Sequence, residues 1–182
     1  MSANYSIGND NSRQKGFTYL ELVVVIAIIS ILAVFALDRY RRLLVDVERT
    51  TVEQDLGVMR SAIGMQVASQ FLSGNMAGLN ELVNSNPMDM LAEQPKSYLG
   101  PISNQEPNEL EPGHWYFDTD TGVLVYLVRN SDYFETELRG VARIRFKIYP
   151  VYADKTRNGK RTTFIAGLAL KPIDPYRWLK KD

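Results

Sequence analysis

Residues 15–37 read KGFTYLELVVVIAIISILAVFAL and fix the architecture of this 182-residue chain. From Phe17 to Leu37 there are 21 residues with one charged side chain, Glu21. About 20 apolar residues in a helix span the hydrocarbon core of a bilayer, which is about 30 Å thick. Core helices of soluble proteins rarely stay apolar on every face for so long. The segment is therefore predicted to be a helix that inserts into a membrane.

Glu21 is the acidic residue inside this apolar helix. A carboxylate costs about 2.5–3.5 kcal/mol at the centre of a spanning helix, and less near the interface, so it is expected to pair with a cation. Cleavage before Phe17 would create an α-amino group four residues away, on the same helix face. The same amine is also placed to serve Glu21 of a neighbouring subunit. A carboxylate tolerated at the interface is the simpler interpretation.

An ordinary secretory signal peptide is the competing interpretation of the segment, with a small-residue cleavage point after Ala36. Basic residues lie on both flanks, with Arg13 and Lys15 before the segment and Arg39 and Arg41 after it. The positive-inside rule therefore does not determine the orientation.

The segment resembles the prepilin signal of type IV pilins and pseudopilins. Gly16 matches the residue before that family's cleavage point, Phe17 the new N-terminus, and Glu21 the family's acidic residue. The resemblance implies that a membrane prepilin peptidase cuts after Gly16 and methylates the amine of Phe17. It also implies that Glu21 guides incorporation into a filament by pairing with a neighbour's amine. Asp38 stands where many members have a helix-kinking proline.

Beyond the membrane segment, apolar residues at spacings of three and four predict that the helix continues to about Leu72. The apolar stripe comprises Leu44, Val52, Leu56, Met59, Ile63, Val67 and Phe71. The charged residues expected on the solvated face are Asp46, Glu48, Arg49, Glu53, Asp55 and Arg60. Ser73-Gly74-Asn75 is the predicted stop.

The rest of the chain is predicted to be a loop followed by an antiparallel sheet. The loop contains a short helix at 79–83, and its segment 86–100, NPMDMLAEQPKSYLG, resembles one found in a subset of pilin-like proteins. Period-2 patterns predict strands at 115–117, 123–128, 141–152 and 162–170, with a polar turn at 154–161. The fold class is α+β, with a long helix packed by its second half on a four-stranded antiparallel sheet.

This pattern divides the chain into five parts. They are a leader at 1–16, a transmembrane or filament-core helix at 17–38, an amphipathic helix half at 39–73, an αβ loop at 74–113 and a sheet domain at 114–182.

Composition excludes several kinds of chemistry. The chain has no cysteine, which excludes disulfides, thiolate metal sites and cysteine nucleophiles. Its single histidine, His114, cannot form a multi-histidine metal site. The balance of 21 basic and 21 acidic residues argues against general phosphate binding. We expect no catalytic residue, no metal, no cofactor and no enzyme activity.

Two clusters are candidate binding sites. Asp118 and Asp120 suggest a calcium ligand pair, but Gly122 comes one position early and Arg129 replaces the final Glu of an EF-hand, which favours a hairpin turn. A basic row on one strand face, Arg143, Arg145 and Lys147, is a candidate surface for DNA, acidic lipid or an acidic partner. Nucleic-acid binding is not expected, since charge on an exposed sheet face is common and Glu135 and Glu137 are candidates to neutralise part of the row.

The resemblance implies a structural subunit of a type IV pilus or of a type II secretion pseudopilus. Its expected partners are other pilin or pseudopilin subunits in homo- or hetero-filaments, prepilin peptidase, the inner-membrane assembly platform and membrane lipid. The expected location is the bacterial inner membrane, with a single pass and a periplasmic C-terminal domain, and then the filament. The missing cysteines favour pseudopilins or cysteine-free minor pilins, because many type IV pilins close a C-terminal loop with a disulfide.

Two alternatives come from other classes. One is a secreted binding domain released by cleavage after Ala36. The other is a membrane-anchored periplasmic protein, either a binding domain or an enzyme that uses carboxylates such as Asp118 and Asp120.

Overall fold

The computed structural model describes residues 17–104, 106–157 and 160–179, and the chain divides into two compact units between Arg42 and Leu43. The helices are α1 (Tyr19–Leu72) and α2 (Met76–Val83). The strands are β1 (Tyr98–Ile102), β2 (Trp115–Asp118), β3 (Val123–Leu127), β4 (Phe134–Thr136), β5 (Arg143–Arg157), β6 (Lys160–Pro172) and β7 (Tyr176–Trp178). Short 3₁₀ helices lie at Pro87–Met90, Pro107–Glu109 and Ser131–Tyr133. The predicted leader, including Gly16, lies outside the described residues.

In the first unit, α1 exposes its apolar side chains on every face. All residues from Phe17 to Leu37 are exposed, and the large apolar side chains range from 38% exposed at Val25 to 83% at Tyr19. The helix covers the predicted segment and ends at Leu72, as expected from Gly74 and Asn75. A surface this apolar is stable when lipid or other apolar helices cover it.

In the second unit, α1 buries one stripe against the sheet. Val52, Leu56, Met59 and Ile63 are almost fully buried, which confirms this part of the predicted stripe. Leu44 was assigned wrongly, because it is 40% exposed and its neighbour Val45 is buried instead. The stripe packs on Trp115, Phe117, Leu124, Tyr126, Ile144, Phe146, Ile148 and Leu170.

The main sheet has five strands in the order β1-β2-β3-β5-β6, one more than the predicted four. The predicted antiparallel meander is confirmed by the pairs β2–β3, β3–β5 and β5–β6. The additional strand, β1, lies in the predicted αβ loop and pairs parallel to β2. No regular strand pattern is visible in its sequence, Tyr98-Leu99-Gly100-Pro101-Ile102. The reason is that Gly100 adopts a φ of 101° and the pairing with β2 is irregular there.

The predicted polar turn at 154–161 is wrong. β5 continues to Arg157 and β6 begins at Lys160, and the two strands pair out to Arg157 opposite Lys160. Asp154 accepts a hydrogen bond from Thr163 Oγ1 at 2.6 Å and forms an ion pair with Arg161 across the strands. Cross-strand pairs of this kind, with β-branched threonines, stabilise strand pairing in a segment that is polar in composition.

A second, two-stranded sheet joins β4 to β7 near the C-terminus. Phe134 on β4 lies 5.9 Å from the Tyr176 ring and 5.0 Å from the Trp178 ring on β7, between ring centroids. This aromatic cluster packs at the margin of the helix–sheet core. The aromatic side chains of the C-terminal segment therefore pack within the domain.

The outer face of the main sheet is also covered. Tyr116, Val123, Val125 and Leu127 are buried there beneath part of the connection between β1 and β2 and the residues just before β5, namely Ile102, Leu110 and Val141. All five residues of β3 are therefore buried. Burial on both faces explains why this central strand shows no alternation of apolar and polar residues.

Candidate assembly segment

The N-terminus of α1 is held by a side-chain cap. The backbone N–H of Glu21 donates to Thr18 Oγ1 at 3.3 Å, and that of Leu22 donates to the Thr18 carbonyl at 3.1 Å. A threonine followed three residues later by glutamate is the sequence pattern of a capping box. The acid in the first turn also interacts favourably with the helix dipole. The sequence carries this signal at Thr18-Tyr19-Leu20-Glu21, and it gives Glu21 a helix-end role beside its predicted assembly role.

Glu21 projects from a fully exposed helical surface. Phe17, the predicted new N-terminus, is 71% exposed, and Leu20 is 73% exposed. Within the described part of the chain, no basic side chain forms an ion pair with the Glu21 carboxylate. The structure thus leaves this carboxylate accessible to a cation supplied from elsewhere.

Within residues 17–104, 106–157 and 160–179, one helix, α1, is long and apolar enough to cross a membrane. A cleaved signal sequence near the N-terminus would meet the same criterion of length and composition. The N-terminus of the mature chain therefore separates the two interpretations.

Glu48 attaches α1 to the end of β3 and was wrongly placed on the solvated face. It is 8% exposed. Its Oε1 accepts hydrogen bonds from Tyr126 Oη at 3.0 Å and the Arg129 backbone N at 2.6 Å. Its Oε2 accepts from the Asn130 backbone N at 3.0 Å and from Asn130 Nδ2 at 2.5 Å. Four donors therefore compensate the burial of one carboxylate.

Asp55 forms a second polar contact between α1 and the sheet. It accepts a hydrogen bond from Trp115 Nε1 at 2.9 Å, and Trp115 is fully buried. Burial raises the pKa of Asp55, and the indole hydrogen bond partly opposes that effect. Asp55 is therefore half-buried, whereas the charge pattern had placed it in solvent.

Asn86 organises the segment 86–100 noted in the sequence. Its Oδ1 accepts from the Met88 backbone N at 3.1 Å. Its Nδ2 donates to Asp89 Oδ1 at 3.0 Å and to Tyr98 Oη at 2.8 Å. Because Asn86 and Met88 are buried, this network fixes the loop against the core beside β1.

Asp118 and Asp120, the candidate calcium ligands, lie at the turn between β2 and β3. Asp118 accepts hydrogen bonds from the backbone N of Asp120 at 3.0 Å and from Thr121 Oγ1 at 2.6 Å. Asp120 accepts from the backbone N of Asn104 at 3.0 Å. In the described residues, no group of three or more His, Asp and Glu side chains is placed to hold a metal ion.

The basic row on β5 is half-buried and largely engaged in internal contacts. Arg143 Nη1 donates to the Arg139 and Val141 carbonyls at 3.1 and 3.0 Å. Arg145 makes a two-pronged contact with Asp174, at 2.7 and 2.8 Å, which holds the pKa of Asp174 below its usual range. Lys147 is half-buried on the same strand.

Glu135 was expected to neutralise this row, and the structure places it elsewhere. Its carboxylate pairs with Arg177 at 2.6 Å, across the β4–β7 pair. His114, the single histidine, lies just before β2 with Nδ1 3.2 Å from the Glu111 carbonyl oxygen.

These features define a class of protein. An exposed apolar N-terminal helix headed by Thr18 and Glu21, whose continuation packs on an antiparallel sheet, is the α+β layout of a type IV pilin-like protein.

Comparison with known proteins agrees with this class. Residues 11–37 match the family described as the prokaryotic N-terminal methylation motif. The chain is similar to type IV major fimbrial protein FimA of Dichelobacter nodosus, with 42% identity over 67 residues. That alignment covers 37% of this chain and 40% of the relative. The N-terminal segment is thus similar to that of these type IV fimbrial proteins.

A second FimA protein of the same organism is 44% identical over 52 residues, which cover 29% of this chain and 33% of the relative. The matches therefore span two fifths or less of these curated relatives. No solved structure matches the chain.

Proposed function

We propose that this chain is a structural subunit of a pilin-type filament and has no catalytic activity of its own. One observation carries the proposal. The helix from Phe17 to Leu37 exposes apolar side chains on every face, with the accessible carboxylate of Glu21 in its first turn. Lipid covers such a helix before assembly, and the equivalent helices of other subunits cover it afterwards.

Processing would prepare the helix for this role. We propose that prepilin peptidase cuts after Gly16 and that the new amine of Phe17 is methylated. The family match over residues 11–37 supports this step, because it spans both sides of the proposed cut. Before assembly the chain would cross the inner membrane once, with its sheet domain in the periplasm. The inner-membrane assembly platform would then transfer it into the filament.

Glu21 would set the position of each new subunit. In the described residues the Glu21 carboxylate forms no ion pair, so its structural role there is limited to helix-end electrostatics. In an apolar filament core, an unpaired carboxylate is costly, and the amine of a neighbour's Phe17 would compensate it. A misplaced subunit would leave both the Glu21 carboxylate and the Phe17 amine unpaired. The ion pair therefore favours a single axial position of each subunit in the filament.

A type IV pilus is the filament favoured by the relatives, which are named type IV major fimbrial proteins. A type II secretion pseudopilus is the second candidate. The absence of cysteine supports it, because many type IV pilins close a C-terminal loop with a disulfide.

The experiment is a comparison of Glu21→Ala with the parent chain in cells that form the filament. Membrane insertion should be unchanged, whereas filament incorporation should fall at least tenfold. Ser30→Ala is the matched control, because Ser30 lies in the same helix and its hydroxyl bonds only the Ile26 carbonyl, at 2.7 Å. Normal incorporation of the Glu21→Ala chain would refute the role of Glu21.

A further inference from the structure

The distal part of the β5–β6 pair forms a projection that the proposed function does not use. We name residues 151–157 and 160–167 the β-arm. β3 pairs with β5 only over Arg143–Phe146, and β6 is the last strand of the sheet. The β-arm therefore has two strands and no third, over about 23 Å at about 3.3 Å per residue.

The β-arm exposes apolar and aromatic side chains. Tyr152 is 63% exposed, Val151 44% and Phe164 39%, and none of residues 151–156 and 161–167 is buried. An isolated two-stranded ribbon is marginally stable in water, and the open edge of a strand is a template for pairing. These properties are typical of a segment that gains stability when a partner covers it.

The end of the β-arm is strongly basic. Residues 154–161 contain Lys155, Arg157, Lys160 and Arg161, against a single acid, Asp154. Asp154 makes its contacts inside the arm, because it forms an ion pair with Arg161 and accepts a hydrogen bond from Thr163. The arm thus carries a net charge of +3 from four basic residues and one acidic residue.

An acidic segment lies in the connection between β1 and β2. Residues 106–111, which we name the acidic loop, contain Glu106, Glu109 and Glu111 and no basic residue. All three glutamates are exposed, and in the described residues none of them forms an ion pair. The acidic loop follows β1, the outer strand opposite to β6.

We propose that the β-arm of one copy docks on the acidic loop of a neighbouring copy. The proposal rests on the proposed function, which brings copies together. In the described residues, no ion pair joins the β-arm to the acidic loop of the same chain, so both surfaces are open to another molecule. A contact between two different surfaces of identical subunits is heterologous, and it propagates into an open filament unless the ring closes.

The choice of a second copy over nucleic acid follows from charge and apolarity together. A nucleic-acid surface needs a broad basic face, whereas Arg143 and Arg145 are engaged within the sheet. Tyr152 and Phe164 expose apolar surface on the arm, and the acidic loop has the half-buried Pro107 beside its glutamates.

Site-directed cross-linking tests the contact in the full-length chain. The chain has no cysteine, so introduced thiols report without background. Thr156→Cys in the β-arm and Asn108→Cys in the acidic loop are both exposed and retain all the charges. Co-produced in one cell and oxidised, they should form a mixed covalent dimer at least tenfold more than Thr156→Cys with Ser131→Cys, an exposed control. A yield no higher than that control overturns the docking contact.

Charge exchange tests the chemistry of the contact. Adding Lys155→Glu to the Thr156→Cys chain should reduce the mixed dimer at least tenfold. Adding Glu109→Lys to the partner chain should then restore it. Undiminished cross-linking with Lys155→Glu would overturn the electrostatic match.

The same cells, inspected for filaments by electron microscopy, separate the two proposals. Filaments without the mixed dimer overturn the docking contact and leave the filament role standing. The mixed dimer without filaments supports the contact and refutes the filament role. If both are absent, both proposals fail. If oxidation is carried out on membranes isolated from these cells, duplex DNA that abolishes the mixed dimer at 150 mM salt would assign the β-arm to nucleic acid instead.

Discussion

Glu48 on α1 accepts a hydrogen bond from Tyr126 Oη on β3, 3.0 Å away, and both side chains are buried. The same carboxylate receives the backbone N–H groups of Arg129 and Asn130, where the chain leaves β3. One acidic side chain thus satisfies the end of a central strand and fixes the helix on it.

Replacement of Glu48 by alanine should destabilise the domain by about 2–4 kcal/mol. The variant leaves several buried donors without an acceptor, and each unsatisfied donor costs about 1–3 kcal/mol. Chemical unfolding of the full chain in detergent, followed by tryptophan fluorescence, measures the loss. Asp46→Ala, on the exposed face two residues earlier, should change the unfolding free energy by less than about 0.5 kcal/mol. Equal effects of the two substitutions would contradict the proposed attachment.

Removal of the Tyr126 hydroxyl alone should cost less. Tyr126→Phe loses one donor to Glu48 while the three donors from Arg129 and Asn130 remain, so we expect about 1 kcal/mol. A double-mutant cycle with Glu48→Ala should show strong coupling, since the residues are in contact. Additive effects would show that the contact contributes nothing to stability.

Tyr126 should also make the domain sensitive to alkali. Burial raises the pKa of its phenol, and the neighbouring Glu48 carboxylate raises it further. A raised folded-state pKa gives stability that is complete below the unfolded value, about 10, and is lost as pH rises toward the folded value. Ultraviolet titration of tyrosinate should therefore find Tyr126 un-ionised at pH 10–11, with ionisation coupled to unfolding. Reversible titration of all tyrosines near pH 10 in the folded state would be inconsistent with this environment.

Asp55 and Asp174 should give opposite responses to acid. Burial raises the pKa of Asp55, so its contribution is complete below about pH 3.9 and is lost as pH rises through the folded value. Arg145 lowers the pKa of Asp174, so that contribution is present above about pH 3.9 and is lost as pH falls through the folded value.

The matched variants Asp55→Asn and Asp174→Asn test these signs. Relative to the parent, Asp55→Asn should gain stability as pH rises from about 4, and at pH 7 it should lie within about 1 kcal/mol because its amide oxygen still accepts from Trp115. Asp174→Asn should lose up to about 1 kcal/mol at pH 7, and the loss should disappear in acid. Thermal unfolding between pH 3 and 7 measures both. Identical pH profiles would reject the assigned environments.

Loss of the Asn86 side chain should loosen the segment before β1. Asn86→Ala removes an acceptor for the Met88 backbone N and a donor to Tyr98 Oη, at a buried position, so we expect a cost of about 2–3 kcal/mol. Hydrogen exchange should show faster exchange at Met88 and across β1. Asn108→Ala, in the exposed loop after β1, is the control and should leave exchange unchanged. Protection retained at Met88 would contradict the role of Asn86.

The long elements were predictable because their periods are strong. The apolar run to Leu37, the stripe through Val52, Met59 and Ile63, and the alternation of Ile144, Phe146 and Ile148 all lie where the patterns placed them. Each pattern extends over several turns or residue pairs, so local exceptions do not obscure it.

The errors have physical causes. Glu48 follows Val45 by three residues and precedes Val52 by four, so it falls within the buried stripe, and only tertiary partners make a carboxylate stable there. β1 is short, contains Gly100 and Pro101, and depends on a parallel pairing that no local pattern reveals. The arm beyond Asp154 is polar in composition, and cross-strand contacts make it a strand. Long-range contacts determine all three.

The most direct test of the central claim is mass spectrometry of the N-terminus of the mature chain, purified from membranes that contain prepilin peptidase. We predict a chain that starts at Phe17 with one methyl group on its α-amine. The mass should shift back by one methyl group when the peptidase's methyltransferase activity is removed. A chain that begins at Leu37, or one that retains Met1, would contradict the account.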